Sequence, residues 1–388
     1  MKILYVDLGG VAQYNCDKMA GRVNVWADLN VKVSILIPKF LKTKVLENDI
    51  QGKVNKIYAW YSAGEFKSAL GISFIYWARF FLSFQTLFRR GNFDIGFSNS
   101  PVVVDIAPIL WLKIFKRCRF WVLMIDSIVP HPRMRAGSPL INYLTYYEAK
   151  LVQYFAKTFA SKIFTVNVEL KNSLVNAGFS PDSIFISKNG LFLDRIGPLI
   201  LDNKIYEAAY MGRITENKGI FDLLNCWQLV VTERPLAKLV IMGTGRGDVV
   251  KSFIAKIDAL CLQKNVVYLG YVDNSRKYEV LKQSKIQIFL SKVNADESWG
   301  ISLMEGLACG LPSITCDLEI YRHVYDAGVL ITVPIGDIYS AHERVNHLLN
   351  NDNYRDSLSR TGIKFSSRFD WTNIAKIDLA QIKELLND

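Results

Sequence analysis

Residues 296–312 read D-E-S-W-G-I-S-L-M-E-G-L-A-C-G-L-P. Just ahead of them, Ile286 to Ser291 (IQIFLS) is alternating, β-branched and aromatic, which predicts a strand. Val293 to Ser298 is then a polar loop off the strand's C-terminal end. From Ile301 to Ala308 the apolar residues fall at helical spacing, and Cys309-Gly310 with Pro312 closes the helix. Ser313 to Cys316 begins the next strand. Strand, loop, helix, glycine stop, strand is a unit of an open α/β sheet, and such sheets bind ligands outside the carboxyl ends of their strands. Gly300 leads into a helix whose first N–H groups, at Ile301 and Ser302, would face that crevice and favour a phosphate. Glu297 sits on the loop and Glu305 about one turn inside the helix. Carboxylates at such different heights suit two separate sets of sugar hydroxyls, one on each side of a diphosphate.

Glu297-x7-Glu305, with Gly300, Ala308, Gly310 and Pro312, resembles the E-x7-E signature of retaining glycosyltransferases of family 4, which have the GT-B fold. Two solvated glutamates on an ordinary α/β loop give the same spacing, and a short motif alone has a high false-positive rate. The weight therefore rests on what surrounds it.

Strand Tyr206 to Gly212 is followed by R-I-T-E-N-K-G, which is similar to the family's G-R-x-x-x-x-K-G. Arg213 and Lys218 flank a short turn before a helix from Ile220, where two cations can grip a diphosphate. A solvated loop is the alternative. Ala237 to Gly243 predicts a further strand, ending in Gly243-Thr244-Gly245. As a dinucleotide fingerprint this fails, because Asp248 stands where a third glycine is required; as a loop for close approach to a nucleotide it serves. Val266 to Val272 resembles the family's strand leading to the nucleobase. After Asp317 the likeness thins, for the family's usual glycine-rich loop is missing.

The chain opens on strand Lys2 to Leu8, Gly9-Gly10, a helix to about Leu29 and strand Val31 to Ile37, a Rossmann-like beginning. In the family a glycine loop here lies near the donor phosphates and the acceptor. Phe93 to Pro101 and Arg119 to Asp126 predict two further strands. Asp126 matches one member of the family's polar pair on the acceptor side; Ile125 stands where its histidine would fall, and His131 reads best as an exposed loop residue. Residues 64–90 predict an apolar, aromatic helix, either buried on the first sheet, which is favoured, or lying in a membrane interface. The basic-aromatic run Trp111 to Trp121 adds to the second reading. Residues 191–204, with Gly197-Pro198, predict a linker. The last helix, beginning at Trp371-Thr372, resembles the one that crosses back to the first domain in GT-B proteins.

At 388 residues and 50% apolar content, two packed domains are expected. Six scattered cysteines without a C-x-x-C pair suit a reducing compartment. No long apolar run and no signal-peptide pattern is present, so the expectation is a cytoplasmic chain, with peripheral attachment to the inner face of the plasma membrane as a second station. Of the net charge of +11, residues 1–200 carry 25 Lys and Arg against 13 Asp and Glu, and the rest 22 against 23. The basic half points to an anionic partner such as acidic lipid, nucleic acid or an acidic substrate.

The resemblance implies an α/β fold of the GT-B kind, with two Rossmann-like domains facing across a cleft. Residues 1–196 would bind the acceptor, 204–364 the nucleotide sugar, and 365–388 would form the helix returning to the first domain. It implies a retaining, metal-independent hexosyl transfer from a UDP- or GDP-type sugar to a glycan or lipid-linked glycan, in cell-surface polysaccharide or lipopolysaccharide synthesis. No D-x-D occurs, so no metal and no cofactor is expected, and Arg213 and Lys218 would supply the charge. Arg213, Lys218, Glu297 and Asp126 are the candidate catalytic residues. Gly9, Gly10, Gly243, Gly245, Gly300, Ile301, Ser302 and Glu305 are the candidate donor contacts. An anionic membrane surface is an expected partner and nucleic acid is not. The competing readings are a GT-B enzyme that transfers nothing, such as a nucleotide-sugar 2-epimerase or a phosphorylase, and an inactive nucleotide-sugar-binding module.

Overall fold

The computed structural model describes residues 1–8, 13–38, 50, 52–58, 74, 77–78, 80–88, 91–134, 138–197, 204–294 and 297–387. The chain divides into two compact units, Met1–Gly190 with Trp371–Asp388, and Leu191–Asp370. The changes of unit thus fall at Gly190 and Asp370, where the sequence reading had 196 and 365. The turn Ser367–Phe369 stays with the second unit because Phe369 packs edge-on to Trp299 and against Phe365.

In the first unit the described strands run β1 (Lys2–Val6), β2 (Lys32–Ile37), β3 (Asn55–Tyr58), β4 (Phe93–Ser98), β5 (Cys118–Met124), β6 (Lys162–Thr165) and β7 (Ile184–Ile186). They form one sheet in the order β3-β2-β1-β4-β5-β6-β7, and each pairing is parallel. Such strands are buried on both faces, so they read as continuous apolar runs. In β1, Ile3 and Tyr5 point to one face and Leu4 and Val6 to the other, and none is more than 2% exposed. On the first face Tyr5 stacks on Phe97 at 4.9 Å with Trp26 edge-on to Phe97. Trp26 comes from α1 (Gln13–Asp28). The other face is covered by α2 (Val103–Ile114) and α3 (Pro139–Phe159), and α4 (Val168–Asn176) leads into β7. Of the segment 64–90, residues 64–73, 75–76, 79 and 89–90 lie outside the described residues; Ser83–Phe88 is a 3-10 turn packed on α2.

The last helix, α12 (Trp371–Asn387), packs against α1. The Trp371 ring lies where a Cβ on either Gly21 or Gly190 would come within 2.4 Å of it. Arg22 stacks its guanidinium 5.0 Å from the Trp371 ring and donates to Asp378 Oδ2 at 2.8 Å. Trp26 Nε1 donates to the Ala375 carbonyl at 2.8 Å.

The second unit repeats the plan with β8 (Tyr206–Met211), α5 (Ile220–Glu233), β9 (Leu239–Met242), α6 (Gly247–Ala259), β10 (Val266–Gly270), α7 (Asn274–Lys282), β11 (Ser284–Phe289), α8 (Ile301–Ala308), β12 (Ser313–Cys316), α9 (Glu319–Val324), β13 (Leu330–Val333), α10 (Ile338–Asn350) and α11 (Asp352–Ser366). Its described sheet has the order β10-β9-β8-β11-β12-β13 and is parallel throughout. Strand order reverses between β8 and β11 here, and between β1 and β4 in the first unit. Those two switch points are where open sheets leave a crevice at their carboxyl ends.

Candidate functional site

In the second unit the loops after β8 and β11 meet at the switch point. Lys218 ends a 3-10 turn, and Gly219, at φ 68°, starts α5. A Cβ on Gly219 would stand 1.8 Å from the Leu290 carbonyl oxygen, so the turn is pressed directly on the end of β11. That closeness carries Lys218 Nζ to 2.5 Å from Glu297 Oε1, with side chains 8% and 5% exposed. An ion pair this dry is strongly coupled: removing either partner strands the other's charge in a poorly solvated place.

The Glu297 carboxylate has a visible field. Burial first, and the nearby Glu297 charge second, push the phenols of Tyr210 and Tyr325 above their ordinary value, and both act on Tyr321 in the same order. All three stay neutral, and Tyr325 donates to the carbonyls of Trp299 and Gly300 at 3.1 and 2.9 Å. Gly300 has φ 71°, a left-handed turn disfavoured for residues with a Cβ, and this turn starts α8 directly beside Glu297. Gln287 in β11 donates from Nε2 to the Ser302 carbonyl at 2.9 Å, fixing the first turn of α8 to the sheet. Its Oε1 lies where a Cβ on Gly306 would be, so glycine there permits the contact.

One turn further into α8, Glu305 is held by a different pair. Lys277 Nζ donates to Oε1 at 2.6 Å and the Tyr278 hydroxyl to the same oxygen at 3.0 Å. The two glutamates are thus separately neutralised by cations from different elements. Lys277 and Tyr278 escaped the sequence reading; the signal was a Lys-Tyr pair in the first turns of α7, which carries no motif. Arg213 is exposed, its carbonyl accepting from the Tyr210 hydroxyl at 2.8 Å. Gly243, at φ 139°, packs on the Gly212 carbonyl and Gly245 on the Ile214 carbonyl, with room for no Cβ at either. Their immediate role is to let the loop after β9 lie on the Arg213 loop, joined by the Ile214 N–H to the Thr244 carbonyl at 2.9 Å.

The first unit has a polar cluster at its own switch point. Tyr5 donates to Asn99 Oδ1 at 2.5 Å, Asn99 Nδ2 to Asp7 Oδ2 at 3.0 Å, and the Leu8 N–H to Asp105 Oδ1 at 2.6 Å. Asp126, after β5, is 24% exposed and paired with Lys18, which is 1% exposed. Lys18 was missed, although it and Arg22 stand at i and i+4 on α1, both facing the interior. Gly9 and Gly10 lie outside the described residues. His131 is exposed and edge-on to Tyr146, as the sequence reading expects. Among the described residues no group of three or more His, Cys, Asp or Glu is placed to hold a metal ion.

Two parallel sheets with loops from β8, β9 and β11 converging at one switch point can be compared with known proteins. Residues 198–365 match the model of glycosyl transferases group 1. Those residues contain the whole Arg213–Lys218–Glu297–Glu305 constellation. The chain is 28% identical over 200 residues to the phosphatidyl-myo-inositol mannosyltransferase of Mycobacterium leprae, across 51% of this chain and 50% of that one. It is 25% identical over 236 residues to the capsular polysaccharide biosynthesis glycosyltransferase CapM of Staphylococcus aureus, across 58% of this chain and 60% of that one. The matches thus span roughly half the length of these curated relatives. In fold, the chain resembles HepE of Anabaena, solved with UDP and glucose, with a TM-score of 0.71 at 17% identity over 100% of both chains. The architecture is that of the GT-B glycosyltransferases.

Proposed function

We propose that the protein is a retaining glycosyltransferase that moves a sugar from a nucleotide diphospho-sugar to a hydroxyl of a glycan or lipid-linked glycan. The observation that carries this is the pair of separately held glutamates flanking one helix start, Glu297 with Lys218 and Glu305 with Lys277 and Tyr278. A helix N-terminus between two carboxylates has an anion's place in the middle and a hydroxyl acceptor at either end. Glu305 presents its second oxygen to the ribose, and Glu297 faces the donor hexose. Arg213, Lys218 and the N–H groups at Ile301 and Ser302 stabilise the charge that grows on the leaving diphosphate. Gly243 and Gly245 hold the adjoining loop close enough for its backbone to approach the nucleotide.

In the transfer, the bond from the anomeric carbon to the diphosphate oxygen breaks while that to the acceptor oxygen forms on the same face. The departing phosphate oxygen takes the acceptor's proton, leaving a nucleoside diphosphate and the glycoside. The acceptor side is assigned to the first unit, where Asp126, paired with Lys18, accepts from one of the acceptor's hydroxyls. The donor is a UDP- or GDP-type sugar, and the charge on the diphosphate is met by side chains rather than a metal. The relatives' names, a phosphatidyl-myo-inositol mannosyltransferase and a capsular polysaccharide biosynthesis glycosyltransferase, support a lipid-linked acceptor in cell-surface polysaccharide synthesis, and the reading has that acceptor met at the cytoplasmic face of a membrane.

Incubation with a panel of nucleotide sugars, with and without a membrane extract, tests the proposal. Release of nucleoside diphosphate only in the presence of extract, with sugar incorporated into it, is expected. Sugar epimerised without acceptor, or donor bound with no nucleotide released, would replace this reading by the two competing ones.

A further inference from the structure

In the first unit α3 presents an apolar face to the outside. It buries Asn142, Val152, Gln153 and Ala156, and leaves Leu140, Tyr143, Leu144, Tyr147, Leu151 and Tyr154 exposed. Steps of three and four place those six on one stripe of the helix. Tyr147 is 64% and Tyr154 67% exposed. The 21-residue helix is about 30 Å long at about 1.5 Å per residue. Alongside it in the same layer, α2 ends in exposed Ile114 and Phe115, and the segment packed on α2 exposes Phe74, Trp77, Phe81 and Phe84. A face this apolar on one side of a unit marks a surface that is covered in use.

Charge says what covers it. From Phe66 to Val168 the sequence has 13 Lys and Arg and four acidic residues, Asp94, Asp105, Asp126 and Glu148. All four acids are engaged within the unit: Asp94 with the Lys2 N–H, Asp105 with the Leu8 N–H, Asp126 with Lys18, and Glu148 with the Val103 N–H. The exposed charges of α3 are Lys150 and Lys157, and Lys116 and Arg119 are exposed beside Phe115. Tyrosine, tryptophan and phenylalanine mixed with lysine, and no unengaged carboxylate, suit the headgroup layer of an anionic bilayer, where rings and methylene stems lie in the acyl boundary and cations meet phosphate. No described helix is long and apolar enough to cross a membrane.

We infer that the outer face of α3, with the exposed rings of Phe74, Trp77, Phe81 and Phe84 and the end of α2 at 114–116, is the surface by which this protein lies on an anionic lipid bilayer. This deepens the reading of a lipid-linked acceptor and rests on it for its purpose, but the surface can be tested without turnover. Two groups that the sequence suggested for this role are otherwise used. Arg117 donates to the carbonyls of Leu87 and Gly91, tying down the turn, and Trp111 is half-buried beneath Phe80 and Phe84, with Nε1 3.2 Å from Ser83 Oγ. Arg89 and Arg90 lie outside the described residues.

Flotation of the full chain with phosphatidylcholine vesicles, with and without phosphatidylglycerol, is the test. Binding to the phosphatidylglycerol vesicles, reduced roughly tenfold or more without the anionic lipid, is expected. The triple variant Leu144→Glu/Tyr147→Glu/Tyr154→Glu, and separately Lys116→Glu/Arg119→Glu, should each cut binding by a similar factor. Calorimetry with UDP and GDP is run on every variant: unchanged nucleotide binding shows a folded protein. Flotation with no nucleotide binding keeps this surface and sinks the donor reading; nucleotide binding without flotation does the reverse. Flotation unaltered by the α3 substitutions would overturn the inference. So would light scattering that shows a dimer which the α3 variant turns into a monomer, because the face would then be covered by a second copy.

Discussion

At the scale of single residues, the Lys218–Glu297 pair makes substitution at either position a compound experiment. If Lys218 bonds the leaving diphosphate as proposed, Lys218→Ala should remove a charged hydrogen bond to it, about 1.5–3 kcal/mol, or roughly ten- to a hundredfold in kcat/KM for the donor. It also leaves Glu297 buried without its cation, a destabilisation of about 3–5 kcal/mol. The double variant Lys218→Met/Glu297→Gln should recover most of the stability and none of the activity. Thermal melts with donor kinetics separate the two effects, and full activity in the double variant would remove Lys218 from the chemistry. Glu305 differs, because the proposed function gives it the nucleoside part. Glu305→Ala should weaken free nucleoside diphosphate and intact donor alike, whereas Glu297→Gln should spare the free nucleotide and damage transfer. Calorimetry with both ligands decides this; equal losses of free-nucleotide binding in the two variants would sink the assignment. Glu297 and Glu305 were singled out by a family-like spacing together with the strand, loop and helix around them. Lys277 and Tyr278 were not, because they reach Glu305 from a helix 28 and 27 residues away in sequence.

At the scale of elements, α12 is held to α1 by a buried charge pair set in aromatic packing. Arg22 and Asp378 have side chains 0% and 1% exposed. Arg22→Met should cost about 3–5 kcal/mol by leaving Asp378 alone, read as a lower urea midpoint and earlier proteolytic release of the C-terminal helix. The pair has an unusual pH signature. Burial, opposed by the Arg22 charge, holds the Asp378 carboxyl above its ordinary value of 3.8. In the window between that value and the raised folded one, the native state keeps a proton that the unfolded chain has lost, so the Asp378 contribution to stability grows as pH falls. The unfolding free energy of the native protein minus that of Asp378→Asn should therefore rise from pH 7 toward pH 4. A difference that fell over that range would show an ionised, well-paired carboxylate instead. α3 is the element the sequence left unread. Its apolar stripe of Leu140, Tyr143, Leu144, Tyr147, Leu151 and Tyr154 faces outward, while Asn142 and Gln153 are buried, so the period gives a helix but not which of its faces is covered.

At the scale of the whole molecule, the second unit is one uninterrupted stretch, Leu191–Asp370, while the first is completed only by Trp371–Asp388. Each unit has its own sheet and core, and the elements that hold Lys218, Glu297 and Glu305 all belong to the second. Residues 191–370 produced alone should unfold cooperatively and retain nucleoside diphosphate binding. Residues 1–190 alone should be much less stable, because Trp26, Arg22 and the Gly21 surface would lose the helix that covers them. Circular dichroism melts and calorimetry check both, and a cooperative 1–190 fragment of undiminished stability would show α12 to be dispensable. The excess of cations lies in the first 200 residues, whereas Lys218, Glu297 and Glu305 come later in the sequence.

The sequence by itself determined the parallel α/β plan, since strands buried on both faces and helices between glycine stops are written in local periodicity and turn chemistry. It determined the positions of Arg213, Lys218 and Glu297 for the same reason, because a loop at the carboxyl end of a strand is placed by its own strand, and that of Glu305 because the helix starts directly from such a loop. Tertiary structure alone decided which charges face each other. Lys218 meets Glu297 across 79 residues, Lys18 meets Asp126 across 108 and Arg22 meets Asp378 across 356. Such pairs form where strand order, not sequence order, brings two elements together, and a single chain read locally holds no record of that order. The same holds for α3: whether Tyr147 and Tyr154 lie in the core or on the surface depends on which face the neighbouring sheet has already covered.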